Sequence, residues 1–255
     1  MPVDTISFEW MTSFLLTLAR VGAVFSFVEI PGFKQAPEMT KVGLAVVVSV
    51  SLYPVWPMWR GPIPSEGYFL VLLMSEAALG LMIGLALRFV EEGLLISAQM
   101  VGLQAGYSFA STIDPTSQAD SSVLQVLAGL VSSLLFFAFR LHEQVIKALA
   151  QSMVSHPPGQ LFQLKASVEP FLSLGGAMFT AGLRLAFPVI ALLLFIDISL
   201  ALLGRLNSQL QLLSLSFPIK MLVALAVLAI TSPAIPVIYE STAARNLGFV
   251  IRSLR

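Results

Sequence analysis

"VEPFLSLGGAMFTAGLRLAFPVIALLLFIDISLALL", Val168–Leu203, is a run of 36 residues in which only Glu169, Arg184 and Asp197 are charged. A stretch this long and this apolar has the length of a bilayer-type helix and far exceeds a strand. Fully helical it would extend about 54 Å, against a hydrocarbon core of roughly 30 Å. The sequence therefore predicts one of two things: a break near Gly175–Gly176 or Pro188, or a helix that continues beyond the bilayer.

The same composition recurs on both sides of this run. Of 255 residues, 57% are hydrophobic and only 11% charged, with mean hydropathy +0.89; soluble domains carry about 25% charged residues. Five more runs stand out: Met11–Ile30, Val42–Trp59, Tyr68–Leu87, Val123–Phe139 and Phe217–Tyr239. The expected fold class is all-α, a single membrane domain of about six long apolar helical segments. Asp4 and Glu9 precede the first run without a basic segment or a small-residue cleavage site, so no removable signal peptide is read there.

Several kinds of chemistry are disfavoured at once. The absence of cysteine excludes disulfides and thiolate metal sites. A net charge of zero gives no support to nucleic-acid binding. His142 and His156 are the only histidines, with no ligand-spaced carboxylates around them, and no phosphate-binding G-x-x-x-x-G-K-[ST] loop occurs. No catalytic site, metal or cofactor is expected.

Breaks fall at Pro31–Pro37, at Pro54–Pro64 with Trp56 and Trp59, at Gly106–Ser122, at His156–Gly159 and around Asn207–Ser216. Trp residues near the ends of apolar runs fit an interfacial belt. From Arg88 to Gly106 the pattern turns amphipathic, and Arg88 and Glu92 stand four apart on one helix face. Gly80–Gly84 and Gly102–Gly106 have the spacing that lets helices approach closely, which serves internal packing and subunit contacts equally well. There is no convincing internal repeat. With six alternating spans, Lys and Arg divide seven against five between the two sides. That is no positive-inside signal; it fits either an ordinary topology with a weak charge bias or apolar runs of which at least one packs on partner subunits instead of spanning lipid.

Arg20, Glu76, Arg184, Asp197 and Lys220 lie within or at the edge of apolar runs. A lone charge at bilayer depth costs roughly 2.5–3.5 kcal/mol, so each needs a partner or water. If the chain reverses near Ser208, Asp197 lies eleven residues before the turn and Lys220 twelve after it. Antiparallel helices would bring the two level as a buried charge pair. A different question attaches to "GYSFASTIDPTSQADSS", Gly106–Ser122, where ten residues are polar. Irregular backbone cannot face lipid, so this loop either leaves the membrane or lines an aqueous cavity.

"GLQAGYSFASTIDP" (Gly102–Pro115), an apolar helix, and then "RLHEQVIKALAQS" (Arg140–Ser152) resemble the FliR family, the R component of the type III export gate, called SctT in injectisomes. "DISLALLGRLNSQLQLLSLSFPIK" (Asp197–Lys220) is similar to that family's helix–turn–helix near the C-terminus. Length and hydropathy profile agree over essentially the whole chain. Two departures are visible: Asn207-Ser208-Gln209 replaces a turn usually containing Pro, and Leu141-His142 stands where Gly-His is usual. The first leaves the geometry of that turn open.

The resemblance implies one copy of this chain beside five P-type and four Q-type subunits in a helical assembly in the bacterial inner membrane, together with B-type and A-type export proteins. Residues 1–160 would be P-like and 161–255 would be Q-like hairpins. Apolar runs would then pack on neighbours, raised out of the bilayer, which would account for the failed charge count. The middle loop would be the plug closing the channel to unfolded substrates. Within it, Gly106, Tyr107, Phe109, Ile113, Asp114 and Pro115 are the candidate plug and gating residues, Phe109 and Ile113 supplying the apolar seal. "GYSFASTIDP" fits the flagellar branch better than the injectisome branch. The competing function is a small secondary transporter or ion channel using Asp197, Lys220 and Glu76. The lack of a repeat and of paired broken helices at the midplane weighs against it.

Overall fold

The computed structural model describes residues 8–28, 37–55, 59, 64–107, 123–161, 168–206 and 212–253. Among them every regular element is helical: α1 (Phe8–Phe27), α2 (Glu38–Ser51), a 3-10 turn at Tyr53–Val55, α3 (Glu66–Ala105), α4 (Val123–Ala138), α5 (Leu141–Ser155), α6 (Val168–Leu206), α7 (Leu212–Thr231) and α8 (Ala234–Ser253). Hydroxyl side chains are accommodated in these apolar helices by bonding back one turn. Ser49, Ser133, Thr180, Ser199 and Thr231 each donate to the carbonyl four residues earlier, at 2.7–2.9 Å.

The longest run stays helical from end to end. α6 holds 39 residues with Pro188 inside it and no interruption at Gly175–Gly176, so of the two expectations the helix longer than a bilayer is the one realised. A proline removes one N–H from the ladder, and the remaining bonds of so long a helix carry it through. The third run and the amphipathic segment fuse into α3, 40 residues or about 60 Å. The second run, by contrast, is not of bilayer length. Its helix ends at Ser51 after 14 residues, about 21 Å, and Pro54 lies in the 3-10 turn that follows.

Among the described residues three helices, within α1, α3 and α6, are long and apolar enough to cross a membrane. The broken pairs α4 with α5 and α7 with α8 raise that to five if each pair counts as one span. The first break is made by Arg140, whose φ of 51° puts a non-glycine residue in the left-handed region, an uncommon and costly conformation.

Two compact units interleave along the chain. The first comprises Met1–Phe89, Phe136–Gly175 and Ala243–Arg255; the second comprises Val90–Leu135 and Gly176–Thr242. In the first, α1 buries Thr12, Ser13, Leu16, Thr17, Arg20, Val21, Val24 and Phe25, a stripe recurring every fourth residue as one helix face requires. Gly80 and Gly84 of α3 lie against this helix, and a Cβ on either would run into the backbone carbonyl of Arg20 or Val24. The Gly80–Gly84 spacing thus serves packing within this chain. Asn246 of α8 donates to the Ala86 carbonyl at 2.9 Å.

The second unit is built in the same way. Gly93 of α3 and Gly182 of α6 face each other so closely that a Cβ on Gly182 would crowd the Gly93 carbonyl oxygen. Val101, Ala105, Leu124, Ala186, Val189, Leu193 and Ala224 form its buried core, and Tyr239 meets Ser132 through their hydroxyls at 3.2 Å.

Candidate functional site at the root of the middle loop

Of the candidate plug residues, Gly106 and Tyr107 lie within the described residues; Phe109, Ile113, Asp114 and Pro115 lie outside them, as does the turn Asn207-Ser208-Gln209. α3 stops at Gly106, whose φ of 87° is accessible to glycine at little cost. Gly106 N–H donates to the Leu103 carbonyl at 3.2 Å and Tyr107 N–H to the Gly102 carbonyl at 2.9 Å. These two bonds are a Schellman closure, which satisfies carbonyls a helix end would otherwise leave open. The glycine of the Gly102–Gly106 pair that sequence spacing suggested for helix approach is therefore a helix stop.

Beyond the stop, the chain is fastened to α7. The Phe217 ring lies over Gly106 so closely that a Cβ there would come within 2.6 Å of the ring. Tyr107 Oη donates to the Met221 carbonyl at 3.3 Å. Desolvation pushes the Tyr107 hydroxyl above the ordinary tyrosine range.

The charged residues expected to face each other are part of the same cluster. Lys220 Nζ lies 2.6 Å from Asp197 Oδ1, and Gln104 Nε2 donates to Asp197 Oδ2 at 3.1 Å. Each carboxylate oxygen thus has one partner, from α7 and from α3. The expectation that the pair is buried needs correcting for the chain by itself. Lys220 is 14% exposed but Asp197 is 37% exposed, because Asp197 stands at the border of the packed face of α6, beside the exposed Ile198. Arg184 is likewise exposed on α6.

Sequence reasoning singled out Arg20 and Glu76 but did not join them. The structure does, in the first unit, with both side chains fully buried. Arg20 Nε donates to Glu76 Oε2 at 2.6 Å, Nη1 to Ser152 Oγ at 3.1 Å and Nη2 to the His156 carbonyl at 2.9 Å. Glu76 Oε1 accepts the Gly159 N–H at 2.9 Å. The Trp59 ring covers Gly159, where φ is 95°, and Trp59 N–H donates to Ser13 Oγ at 2.7 Å. One guanidinium and one carboxylate therefore hold α1, α3, α5 and the turn after α5 together. A signal was available: two opposite charges inside apolar runs, Arg20 on the same face as Ser13, Leu16, Thr17 and Val24.

Comparison with known proteins decides the family. The sequence model of "Bacterial export proteins, family 1" matches residues 11–245. This chain belongs to that export family. It is similar to the flagellar biosynthetic protein FliR of Escherichia coli strain K12, at 30% identity over 231 residues covering 89% of this chain and 87% of that protein. It is 29% identical to FliR of Pectobacterium carotovorum over 229 residues, and 23% identical to FliR of Bacillus subtilis strain 168 over 242 residues. The resemblance read from the sequence was thus to the right family, the FliR family. The chain is an all-helical membrane protein of the bacterial flagellar export apparatus, in a family of export components.

Proposed function

We propose that this chain is a non-enzymatic subunit of the flagellar type III export gate in the bacterial inner membrane, where it helps form and plug the channel for unfolded substrates. One copy would stand with five P-type and four Q-type subunits and meet the B-type and A-type export proteins. Residues 1–160 take the P-like place and residues 161–255 the Q-like hairpins, a division by likeness to partners and not by compact unit.

The observation that carries the plug reading is the position of Gly106–Ser122. Its ten polar residues follow a 40-residue apolar helix that ends in a Schellman closure fastened to α7. Polar backbone at the end of such a helix requires water or protein around it, not lipid. Exposed apolar side chains on several helices, among them Leu134, Phe187, Phe195 and Ile230, are consistent with packing on neighbouring subunits. The transporter reading gains nothing from the charges it would use: Glu76 is committed to Arg20 and Gly159, and Asp197 to Lys220 and Gln104.

Deleting Thr112–Ala119 tests the plug. The complex with P and Q partners should still assemble, because loop length carries only a slowly varying entropy, while the resting channel leaks ions. A fully assembled deletion complex as tight as wild type would reduce the loop to a solvated connection.

A further inference from the structure

α6 carries an unanswered charge. Arg184 is exposed and, among the described residues, takes part in no ion pair or hydrogen bond. The next carboxylate along the helix, Asp197, is thirteen residues or about 20 Å away and is held by Lys220 and Gln104. The surroundings of Arg184 are apolar. Leu172, Phe179, Leu183, Phe187, Ile198 and Leu202 are exposed at steps of four, seven and eleven, which put them on one face of α6. Arg184 and Phe187, three apart, are neighbours on the helix surface. Pro188 adds an acceptor, because it lacks the N–H that would bond the Arg184 carbonyl four residues earlier. A guanidinium and a freed carbonyl thus mark one polar spot on an apolar helix.

Hydrocarbon by itself does not cover this face. From Leu172 to Leu202 the exposed stripe runs thirty residues, about 45 Å. A core of roughly 30 Å would hold that length only at a tilt of about 48°, beyond the 0–40° of membrane helices. The remainder meets headgroups and water unless protein covers it, and a contiguous apolar surface of this kind marks a contact. Among the bilayer-length helices of the described residues, α6 is also the least covered by its own chain: 17% of its apolar stretch is buried, against 44% in α1 and 50% in α3. Charge then decides what the covering surface carries. Acyl tails offer an arginine no partner, whereas a carboxylate takes two parallel bonds from its fork. We propose that this face of α6 docks a neighbouring subunit of the export gate, with a carboxylate in one of that subunit's apolar helices bound to Arg184. This rests on the gate reading and deepens it. A hydroxyl or amide of the same partner helix meets the freed Arg184 carbonyl.

Because Arg184 is exposed in the chain alone, Arg184→Gln should leave the melting temperature of the isolated chain in detergent unchanged. In the full chain produced with its P and Q partners, the same change should weaken recruitment into the complex about thirtyfold, the lower end for a buried charge pair that loses one member. Arg184→Lys keeps the charge without the fork and should lose less. The photo-reactive residue p-benzoylphenylalanine, placed at Phe187, should cross-link to a partner chain on a segment with Asp or Glu inside an apolar run. Changing that carboxylate to Arg should restore assembly of Arg184→Glu. Assembly of Arg184→Gln at the wild-type level would overturn the docking point, as would failure of the reversed charges to rescue. Cross-linking to lipid alone would overturn it too and assign Arg184 to a lipid phosphate. A melting temperature of the isolated Arg184→Gln chain that falls along with recruitment would make the residue structural within this chain instead. A wild-type chain that enters no complex with P and Q would refute the gate reading itself, whereas a wild-type complex beside an unaffected variant refutes only the contact.

Discussion

Arg20 and Glu76 are 56 residues apart in the chain and meet at 2.6 Å with no solvent exposure on either side chain. Between them they also hold the turn at His156–Gly159, Arg20 donating to the His156 carbonyl and Glu76 accepting the Gly159 N–H. Both side chains are fully buried, so the two charges are tolerable only together.

Glu76→Ala should therefore destabilise the first unit by about 3–5 kcal/mol, because it strands the guanidinium in a buried site. Glu76→Gln keeps the shape and one acceptor and should cost less. Replacing both charges, Arg20→Met with Glu76→Leu, should recover part of the loss. Thermal unfolding in detergent, read against accumulation in the membrane, measures all three. A double variant worse than either single change would mean the charges have a role beyond neutralising one another.

At Gly80 the test is steric. A methyl group there meets the Arg20 carbonyl, which is backbone and cannot rotate away, so Gly80→Ala should cost about 1–3 kcal/mol as an overpacked contact. Gly22→Ala meets nothing within 4 Å and should be neutral or stabilising by up to about 1 kcal/mol, through helix propensity. Equal melting temperatures for the two variants would show that α1 and α3 do not approach this closely.

Gly106→Ala combines two penalties, a left-handed φ and a ring already seated on the glycine. The backbone term alone is about 1–2 kcal/mol. This variant should loosen the loop root while α3 itself stays helical, seen as faster hydrogen exchange confined to residues near 103–107. Exchange unchanged at those amides would show the closure to be dispensable.

Asp197→Ala should impair assembly more than Asp197→Asn combined with Lys220→Gln, because the alanine alone leaves Lys220 unpaired. With Asp197 37% exposed, the effect in the isolated chain should stay below the roughly 3–5 kcal/mol of a fully buried pair. Neighbouring subunits that cover the pair would raise it. Yields of assembled complex for the single and double variants measure the difference, and equal yields would contradict the pairing.

The length of α2 predicts its topology. At 14 residues it falls short of the 20 or so that span a hydrocarbon core. Single cysteines at Thr40 and Tyr53 should therefore react with a membrane-impermeant reagent from the same side. Reaction from opposite sides would establish α2 as a span.

By itself the sequence determined the class of fold and the family. Hydrophobic runs of bilayer length leave helices as the only way to satisfy the backbone, whatever they pack against, and the motifs around Gly102–Pro115 and Asp197–Lys220 are local in the chain. The Asp197–Lys220 juxtaposition was also legible, since a hairpin pairs positions at nearly equal distance from its turn. Only the tertiary structure decided that Arg20 belongs with Glu76, because no short turn relates them and nothing in periodicity sets the register of α1 against α3. It likewise decided that α6 runs unbroken through Pro188 and that Gly106 ends α3. Sequence marks where a helix can bend or stop, whereas packing and the remaining hydrogen bonds fix whether it does.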